Sequence, residues 1–494
     1  MASHIQRLYP PALGLMTDLY QLTMAYGYWK TGIYKKNAVF HLFFRKAPFG
    51  QQQAIAAGLT LAVDFIQAYR FDVHDIQYLG GLRGADGCTL FDESFLNYLQ
   101  RLEFQCDVDA VPEGSVVFPH QPLLRIKGPL IQCQLLETAL LTLFNFSTLI
   151  ATKASRMVQA ANGDEVLEFG LRRAQGLDGG ITATRAAYVG GCHATSNVMA
   201  GRLYGIPVKG THAHSWVMCF DDELEAFEAY AQHLPNNCIL LVDTYDTLEG
   251  VANAIMVGKK LQLKGQQLLG IRLDSGDLAD LSRKARQMLD EAGLGNAQIV
   301  ASNDLDEYEI AALKEQGSPI QVWGIGTRLA TAYDQPALGG VYKLAAIENE
   351  SGSWDYRVKH SDTPIKVSNP GILQVRRFTA ENGQPLGDVL YDEENPPQVW
   401  QFEDGNTHKL INFGGEMNGE DSIRSDRNSD LLVPVFRAGK LVMELPPLSK
   451  IRQFCLEQQQ WFSAETNYPF GLEKGLSQKK AELLKKTQIA PSDS

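Results

Sequence analysis

Two histidines stand one residue apart in the stretch GTHAHSWVM, which runs from Gly210 to Met218. Because an extended chain alternates its faces, the rings of His212 and His214 would project from one side of a strand end. Two rings in that arrangement form the first metal pair of many barrel hydrolases. They could equally be buried histidines that fill space in a core. In a third interpretation, a carboxylate holds one nitrogen of a neutral ring, and the other nitrogen acts as a nucleophile toward a phosphoryl group.

The metal interpretation requires further histidines at the tips of later strands. The later histidines are His233, His360 and His408, and none of them falls at a predicted strand tip. Metal-dependent hydrolysis therefore remains an alternative, which would require tightly held zinc.

The middle of the chain repeats a short β-branched run, a polar tip and an amphipathic helical segment. The runs are nearly continuous in apolar residues, which is typical of parallel strands covered on both faces. Their starts lie roughly 25 to 40 residues apart, the length of a βαβ unit. They are VLEFGLRR from Val166, IPVKGTHAH from Ile206, CILLVDTYD from Cys238, LLGIRLDSGD from Leu268, AQIVASND from Ala297 and IQVWGIGT from Ile320. At least six such units favour a closed β/α barrel over an open sheet.

Two of the intervening helices can be outlined from the pattern. Apolar residues between Leu278 and Leu289 recur at helical spacing, and Gly293 ends the helix. Asp304 and Glu307 form a capping-box pattern that predicts the start of the next helix, which ends at Gly317.

Polar residues follow each predicted strand, at the edge of a barrel where reacting groups gather. The tips are Arg172-Arg173, Thr211 to His214, Asp243 to Asp246, Arg272 to Asp277, Ser302 to Asp304 and Gly324 to Thr327. Carboxylates, guanidinium groups and glycine-rich backbone in one pocket suit a magnesium-bound phosphorylated substrate. Each tip also has a purely structural interpretation. In LDSGDL, for example, Ser275 or Asp277 could simply cap a helix.

The predicted fold class is α/β, an irregular β/α barrel beside a composite α+β domain built from both ends of the chain. The barrel is predicted over residues 136–345. Residues 1–135 contain Pro- and Gly-bounded strands such as AVFHLFFRKAP, so this segment is predicted to be mainly β. Residues 346–494, with LLVPVFRAGKLV and the helical PLSKIRQFCLEQQQWF, are predicted to return to the composite domain.

The composition of the chain limits the kinds of molecule that it is expected to bind. The chain has 494 residues with a net charge of −12, which argues against non-specific nucleic-acid binding and favours small-molecule substrates. Seven scattered cysteines without a CxxC pair, and an N-terminus without a secretory signal, predict reduced thiols and a cytoplasmic protein. The apolar stretch LLETALLTLFNFSTLIA contains Glu137 and Asn145, so it predicts a buried helix and no membrane span.

Long motifs in this sequence resemble nicotinate phosphoribosyltransferases, of the type II phosphoribosyltransferase group. They are LMTDLYQLTMAYGYWKTG, EFGLRRAQGLDGGITATRAAYVGG, ATSNVMAGRLYGIPVKGTHAHSWV, GIRLDSGDLADLSRKAR, ASNDLDEYEI, WGIGTRLAT and ALGGVYKL. The resemblance spans most of the chain and becomes loose in the segment WFSAETNYPFGLEKGLSQKKAELLKK near the end.

The resemblance implies a reaction between nicotinate and 5-phosphoribosyl-1-diphosphate that yields nicotinate mononucleotide and pyrophosphate, in the salvage route of NAD biosynthesis. It implies coupling to hydrolysis of ATP as co-substrate, with Mg²⁺ as cofactor and unknown magnesium ligands. His214 stands in the family's Gly-Thr-x-x-His pattern, so it is the implied phosphohistidine, and His212 is given no chemistry. Family members are typically homodimers that share active sites, in which Tyr20 could serve the pocket of the other subunit.

The resemblance also assigns the other site residues. Tyr20 would contact the nicotinate ring, and Thr211 and Arg272 would hold its carboxylate. Thr327 would bind the ribosyl phosphate together with Gly326, Ser302 and Asn303. Arg172 and Asp274 would line the same pocket. The alternatives are a nicotinamide phosphoribosyltransferase and, more distantly, the metal-dependent barrel hydrolase; a ligand sensor with an inactive site is disfavoured, because Tyr20, His214, Arg272 and Thr327 are all present.

Overall fold

The computed structural model describes residues 12–404, 407–413, 422–425, 427–462 and 468–488. The chain divides into two compact units. The first unit contains the chain up to Leu149 and again from Ala337 onward, and the second unit is Ile150–Pro336. The N-terminal residues before 12, which cover most of the stretch inspected for a secretory signal, lie outside the described residues.

The N-terminal part of the first unit mixes helices and strands. The helices are α1 (Leu19–Thr31), α2 (Leu59–Ala68), α3 (Val73–Gly81), α4 (Glu93–Gln100) and α5 (Leu130–Leu135), and the strands are β1 (Asn37–Phe44), β2 (Ala54–Ile55), β3 (Asp107–Ala110), β4 (Val116–Val117) and β5 (Leu124–Pro129). The prediction that residues 1–135 are mainly β is therefore corrected. It followed the turn-bounded segments that form β1 and β3 to β5, and it overlooked the helical periodicity between them, where α2 buries Leu59, Ala62, Val63 and Ile66.

Helix α6 (Glu137–Ala161) carries the chain from the first unit into the second. The boundary at 149/150 therefore lies inside a continuous helix, which explains why the sequence placed it too early, after residue 135. The apolar stretch that predicted a buried helix falls within α5 and α6. Among the described residues, no helix combines the length and apolarity that crossing a bilayer requires.

Five of the six predicted βα units are present in the second unit. The predicted strand from Ile206 is wrong, because that run forms only an isolated bridge at Val208, and the short strand Ala194–Thr195 is not among the predicted runs. The strands are β6 (Glu165–Glu168), β7 (Ala194–Thr195), β8 (Ile239–Leu241), β9 (Gly270–Leu273), β10 (Gln298–Ala301) and β11 (Val322–Ile325), and the helices are α7 (Leu177–Val189), α8 (Val198–Tyr204), α9 (His214–Val217), α10 (Glu223–His233), α11 (Thr247–Leu263), α12 (Leu278–Glu291), α13 (Glu307–Glu315) and α14 (Thr327–Ala330). The strands pair in parallel in the order β7-β6-β11-β10-β9-β8. Leu167, Ala194, Val300 and Val322 pack together as a buried cluster of this sheet.

The two edge strands of this sheet, β7 and β8, are connected through the segment that leads to His212. On one side, Thr195 in β7 forms a parallel bridge to Val208. Beyond Val208 the chain reaches His212, whose Nε2 accepts a hydrogen bond of 3.2 Å from the backbone N–H of Leu241 in β8. Asn237 donates from Nδ2 to the carbonyl oxygen of Gly210, at 3.3 Å. The sheet thus closes into the predicted irregular β/α barrel through a seam that is bonded by backbone at β7 and by the side chains of His212 and Asn237 at β8.

Helix boundaries in the barrel match the sequence prediction in one case and differ in another. Helix α12 begins after Asp277, whose side chain accepts from Asp280 N, and the chain turns at Gly293 with a φ of 73°. Helix α13 is capped by Asp306, which accepts from Tyr308 N and Glu309 N. The predicted capping box of Asp304 and Glu307 is therefore wrong, because Asp306 supplies the cap two residues later.

The chain after residue 337 completes the first unit. Its strands are β12 (Gly340–Glu348), β13 (Trp354–Tyr356), β14 (Leu373–Thr379), β15 (Pro385–Asp392), β16 (Trp400–Asp404), β17 (Thr407–Phe413), β18 (Ser422–Ser425), β19 (Arg427–Asp430), β20 (Val433–Arg437), β21 (Lys440–Leu441) and β22 (Phe470–Glu473), and its helices are α15 (Leu448–Gln459) and α16 (Lys474–Gln488). One sheet has the order β13-β12-β1-β5-β3-β20-β21, and another has the order β18-β17-β16-β22-β15-β14-β19.

Both ends of the chain therefore contribute to one sheet, which is the composite α+β architecture of the predicted fold class. Strand β12 pairs antiparallel with β1 over most of its length. This pairing is why the second boundary lies at 336/337 and not after residue 345, since the sequence alone does not reveal the partner of β12. All seven cysteines are free thiols, as predicted.

His212 should stabilise the barrel seam. Burial lowers the pKa of this ring, which keeps it neutral as an acceptor for Leu241. Replacing His212 with Ala leaves a buried N–H group without its acceptor, so we expect a loss of about 1–3 kcal/mol in the free energy of unfolding. The unfolded ring binds a proton below a pH of about 6.5, whereas the folded ring binds one only at lower pH, so wild-type stability should fall as the pH drops below about 6.5.

Urea unfolding of the wild type, His212→Gln and His233→Gln at neutral and mildly acidic pH tests this role. His233 is exposed on α10 and serves as the control. His212→Gln should lose part of the pH dependence, and His233→Gln should keep all of it. An identical pH dependence in the wild type and His212→Gln would contradict the assignment.

Candidate active site

A cavity of about 320 Å³ lies at the carboxyl ends of the barrel strands, within the second unit. This is the edge at which a β/α barrel places its chemistry. The sequence-predicted site residues that line it are Arg172, Thr211, His214, Arg272 and Asp274. The other lining residues are Phe169, Leu171, Ser196, Gly210, Ala213 and Leu241.

The guanidinium of Arg272 is hydrogen-bonded to two strand ends and to the segment before α9. Its Nε donates to Ser302 Oγ at 2.7 Å, its Nη1 donates to Thr211 Oγ1 at 3.0 Å, and its Nη2 donates to Asp274 Oδ1 at 3.0 Å. The ring of Phe169 lies 5.9 Å from the guanidinium carbon. A planar fork held at three points presents its charge to the cavity in one orientation.

The carboxylates of Asp243 and Asp274 link the tips of β8 and β9. Asp274 Oδ1 accepts from Ser302 Oγ at 2.5 Å. Asp243 Oδ2 accepts from the backbone N–H of Asp274 at 2.8 Å and from Ser275 Oγ at 2.7 Å. The second oxygen of Asp243, Oδ1, is buried and has no hydrogen-bond partner among the described residues. The sequence pattern identifies the Asp243 tip but predicts no specific function for it.

His214 lies at the mouth of the cavity, and its side chain is 40% exposed. It is the first residue of α9. Its Nδ1 is 3.2 Å from Thr244 Oγ1, and its Nε2 is 3.8 Å from Asp274 Oδ2. The hydrogen-bond partner of the ring is thus a threonine hydroxyl and not the carboxylate of the nucleophile hypothesis. The carboxylate of Asp274 stands instead near the other nitrogen.

His212 does not form a metal pair with His214. Its Nε2 accepts from Leu241 N, and its Nδ1 lies 3.3 Å from the carbonyl oxygen of Ala213, so both nitrogens contact the surrounding backbone. Its ring packs edge-on against Tyr230. Throughout the part of the chain that the structure describes, there is no group of three or more His, Cys, Asp or Glu residues suited to hold a metal ion.

Most of the chain matches the domains of one known family. Residues 15–145 match the nicotinate phosphoribosyltransferase (NAPRTase) N-terminal domain, residues 165–367 match the nicotinate phosphoribosyltransferase (NAPRTase) family, and residues 373–468 match the corresponding C-terminal domain. The chain belongs to the nicotinate phosphoribosyltransferase family.

Individual relatives of this family are similar over nearly their full length. The nicotinate phosphoribosyltransferase of Bacillus subtilis (strain 168) is 44% identical, over 90% of this chain and 88% of the relative. That of Dictyostelium discoideum is 38% identical, over 90% and 82% respectively. The crystal structure of human nicotinic acid phosphoribosyltransferase superposes with a TM-score of 0.80 at 33% identity, covering 95% of this chain and 100% of that one.

The glycine-rich tip from Gly324 to Thr327, within the region that matches the family, packs against Phe169. A Cβ atom added at Gly324 would lie 2.8 Å from the Phe169 ring, so only glycine fits there. At Gly326 the added atom would lie 3.3 Å from the carbonyl oxygen of Phe169. Thr327 then begins α14. Gly326 and Thr327 do not line the cavity. They follow β11, whose end packs against the lining residue Phe169.

Asn303 lies in the loop between Ser302 and α13, exposed and outside the cavity lining. Its backbone has a φ of 131°, a region that side chains other than glycine rarely adopt. Its own Oδ1 accepts from the backbone N–H of Asp304 at 2.8 Å. Such strain persists only where the surrounding structure enforces it.

Tyr20 lies in the first unit, on α1, within the family's N-terminal match. Its side chain is 48% exposed, and its hydroxyl is 3.5 Å from Glu137 Oε1. Partial burial and the charge of Glu137 raise the pKa of this phenol, so it remains neutral near neutral pH. Tyr20 is not among the residues that line the cavity of the second unit.

Sequence reasoning missed several residues of the site. Thr244 belongs to a tip that the sequence had marked, but a threonine beside a histidine has no pattern of its own. Phe169 and Ser196 line the cavity without any motif that predicts chemistry. They become visible only when the strand ends are assembled.

Proposed function

We propose that this protein joins nicotinate to 5-phosphoribosyl-1-diphosphate, and that ATP drives the reaction through a phosphohistidine at position 214. Phosphoribosyl transfer to nicotinate, a step of NAD biosynthesis, follows from membership of the family. The ATP coupling is the specific part of the proposal. The observation that carries it is the partly exposed His214 ring, held at Nδ1 beside Thr244, in the same cavity as the anchored Arg272.

Arg272 and Thr211 would hold the carboxylate of nicotinate. The guanidinium supplies two N–H donors in one plane, and the Thr211 hydroxyl lies 3.0 Å from Nη1. A carboxylate at this point could therefore accept from both the guanidinium and the hydroxyl. Tyr20 is assigned to the pyridine ring from the family motif. The carboxamide of nicotinamide would turn N–H donors toward the donors of Arg272, which disfavours the nicotinamide alternative.

The phosphoribosyl donor is assigned to Thr327, Gly326, Ser302 and Asn303, with Arg172 at the cavity wall. Departure of pyrophosphate builds positive charge on the sugar and negative charge on the leaving group. Backbone N–H groups and the Arg172 guanidinium would stabilise the leaving group. Holding the weakly nucleophilic pyridine nitrogen in line with C1 is the other requirement, and well-oriented reactants can gain roughly 7–11 kcal/mol from positioning.

Mg²⁺ fits the oxygen-rich donors at this edge of the barrel. It binds proteins through one or two carboxylates and completes its shell with water and substrate phosphates. Asp274, at the cavity wall, and the unpartnered Oδ1 of Asp243 are carboxylate oxygens of that kind. The ion would neutralise charge on the diphosphate of the donor.

His214 would act through Nε2. With the Nδ1 proton directed to Thr244 Oγ1, the lone pair on Nε2 can attack the γ-phosphorus of ATP. A nitrogen–phosphorus bond forms, the bond from the γ-phosphorus to the bridging oxygen breaks, and ADP leaves with that electron pair. Water later cleaves the phosphoramidate and releases phosphate, so one ATP is hydrolysed in each cycle.

Replacing His214 with Ala should abolish ATP hydrolysis, while slow transfer without ATP can persist. Acid-labile label from ATP tagged at the γ-phosphate should appear on the wild type and be lost in His214→Ala. His212→Gln is the matched control and should retain the label, because His212 contacts backbone groups of the seam. Label that persists on His214→Ala would refute the phosphohistidine.

Replacing Arg272 with Lys should weaken nicotinate binding, because one ammonium cannot reproduce three anchored contacts and a planar pair. Loss of a charge-assisted hydrogen bond of about 1.5–3 kcal/mol predicts a rise in KM for nicotinate of roughly tenfold or more. Arg286→Lys is the control, since Arg286 also makes three hydrogen bonds but lies on α12, outside the cavity. Equal effects in both variants would contradict the assignment.

Pyrophosphate release measured with nicotinate and with nicotinamide, each with and without ATP, tests the function as a whole. We expect release with nicotinate, faster when ATP is present, and little release with nicotinamide. Preference for nicotinamide would support the alternative transferase. A hydrolytic activity that requires neither nicotinate nor nicotinamide and depends on bound zinc would support the metal-dependent hydrolase.

A further inference from the structure

Lys153, on α6, is a lysine whose side chain is completely buried. Its Nζ lies 2.7 Å from Glu307 Oε2 and 2.6 Å from Asp334 Oδ2. Arg156, one turn further along α6, brings its Nε to 2.6 Å from Glu307 Oε1. Lysines are almost never fully buried unless they are paired, and breaking such a pair leaves an uncompensated charge in the interior. The positions of these carboxylates relative to Lys153 are therefore tightly constrained.

The two carboxylates belong to the helices that follow two strand tips of the barrel. Glu307 is the first residue of α13, and the chain reaches it directly from the tip with Ser302 and Asn303. Asp334 follows α14, the helix that begins at Thr327. One ammonium group therefore holds the start of α13 and the segment just after α14.

A second contact joins α13 and α14 directly, without Lys153. Asp306, the N-cap of α13, is buried, and its Oδ2 lies 3.7 Å from Nη1 of Arg328 in α14. The guanidinium of Arg328 also stacks over the ring of Tyr333, 4.2 Å from its centroid. The cluster of Lys153, Glu307, Asp334, Asp306 and Arg328 thus spans α6, α13 and α14.

We propose that Lys153 is a positioning residue that sets the spacing between the Ser302-Asn303 tip and the Gly326-Thr327 tip, and thereby the affinity for the phosphoribosyl donor. This inference rests on the proposed function, which assigns the donor phosphate to those tips. Lys153 does not line the cavity and acts only through α13 and α14. The strained φ of Asn303 supports it, because a strained loop keeps its form only when both of its ends are held.

Steady-state kinetics of Lys153→Met tests the inference. This variant keeps the aliphatic volume and removes the charge. We expect the KM for 5-phosphoribosyl-1-diphosphate to rise about tenfold while kcat stays within about twofold, the pattern of a lost binding contribution. The KM for nicotinate should rise by less, since only Ser302 of these tips contacts Arg272. Asp334→Asn, whose side chain is partly exposed, should shift the donor KM in the same direction by less, and it provides the test if Lys153→Met fails to fold.

Lys314→Met is the matched control. Lys314 pairs with Asp164 at 2.6 Å from the last turn of α13, so this change loosens the same helix at the end away from the tip. It should leave the donor KM unchanged. The inference is overturned if folded Lys153→Met and Asp334→Asn keep the wild-type donor KM, if the KM for nicotinate rises equally, or if Lys314→Met shows the same shift. Failure of the wild type to release pyrophosphate with nicotinate would instead reject the proposed function.

Discussion

The guanidinium of Arg272 is the constraint on which the candidate site depends. Its donors reach Asp274 after β9, Ser302 after β10 and Thr211 in the segment between α8 and α9. Because one planar, permanently charged group makes all three contacts, it fixes the positions of these three segments relative to one another. The orientation of Asp274, and with it the carboxylate near His214 Nε2, follows from this arrangement.

Much of the barrel could be predicted from the sequence because its strands and helices are local patterns. Runs of apolar residues with a polar tip mark β6 and β8 to β11, and the helical spacing from Leu278 marks α12. The same locality identified His214, Arg272 and Asp274 as candidates, since each directly follows or ends a run. The family motifs then distinguished His214 from His212, which their local patterns could not do.

The features that the sequence alone does not predict depend on residues that are distant from one another in the chain. His212 looks like a reactive residue until Leu241 is brought beside it, and Glu307 looks like half of a capping box until Lys153 reaches it from another helix. The unit boundary inside α6 is hidden for the same reason, because the helix has no break where the packing changes. Pairings of this kind are decided by tertiary structure and override local preference.

The closure of the barrel has a consequence for assembly of the site. His212 completes the seam, and the proposed nucleophile His214 lies two residues further along the same short stretch. A chain in which this seam has not formed would hold that imidazole in no defined place, so under the proposed function it would lack a positioned nucleophile for ATP. Closure of the barrel and placement of the His214 ring therefore depend on the same short segment of the chain.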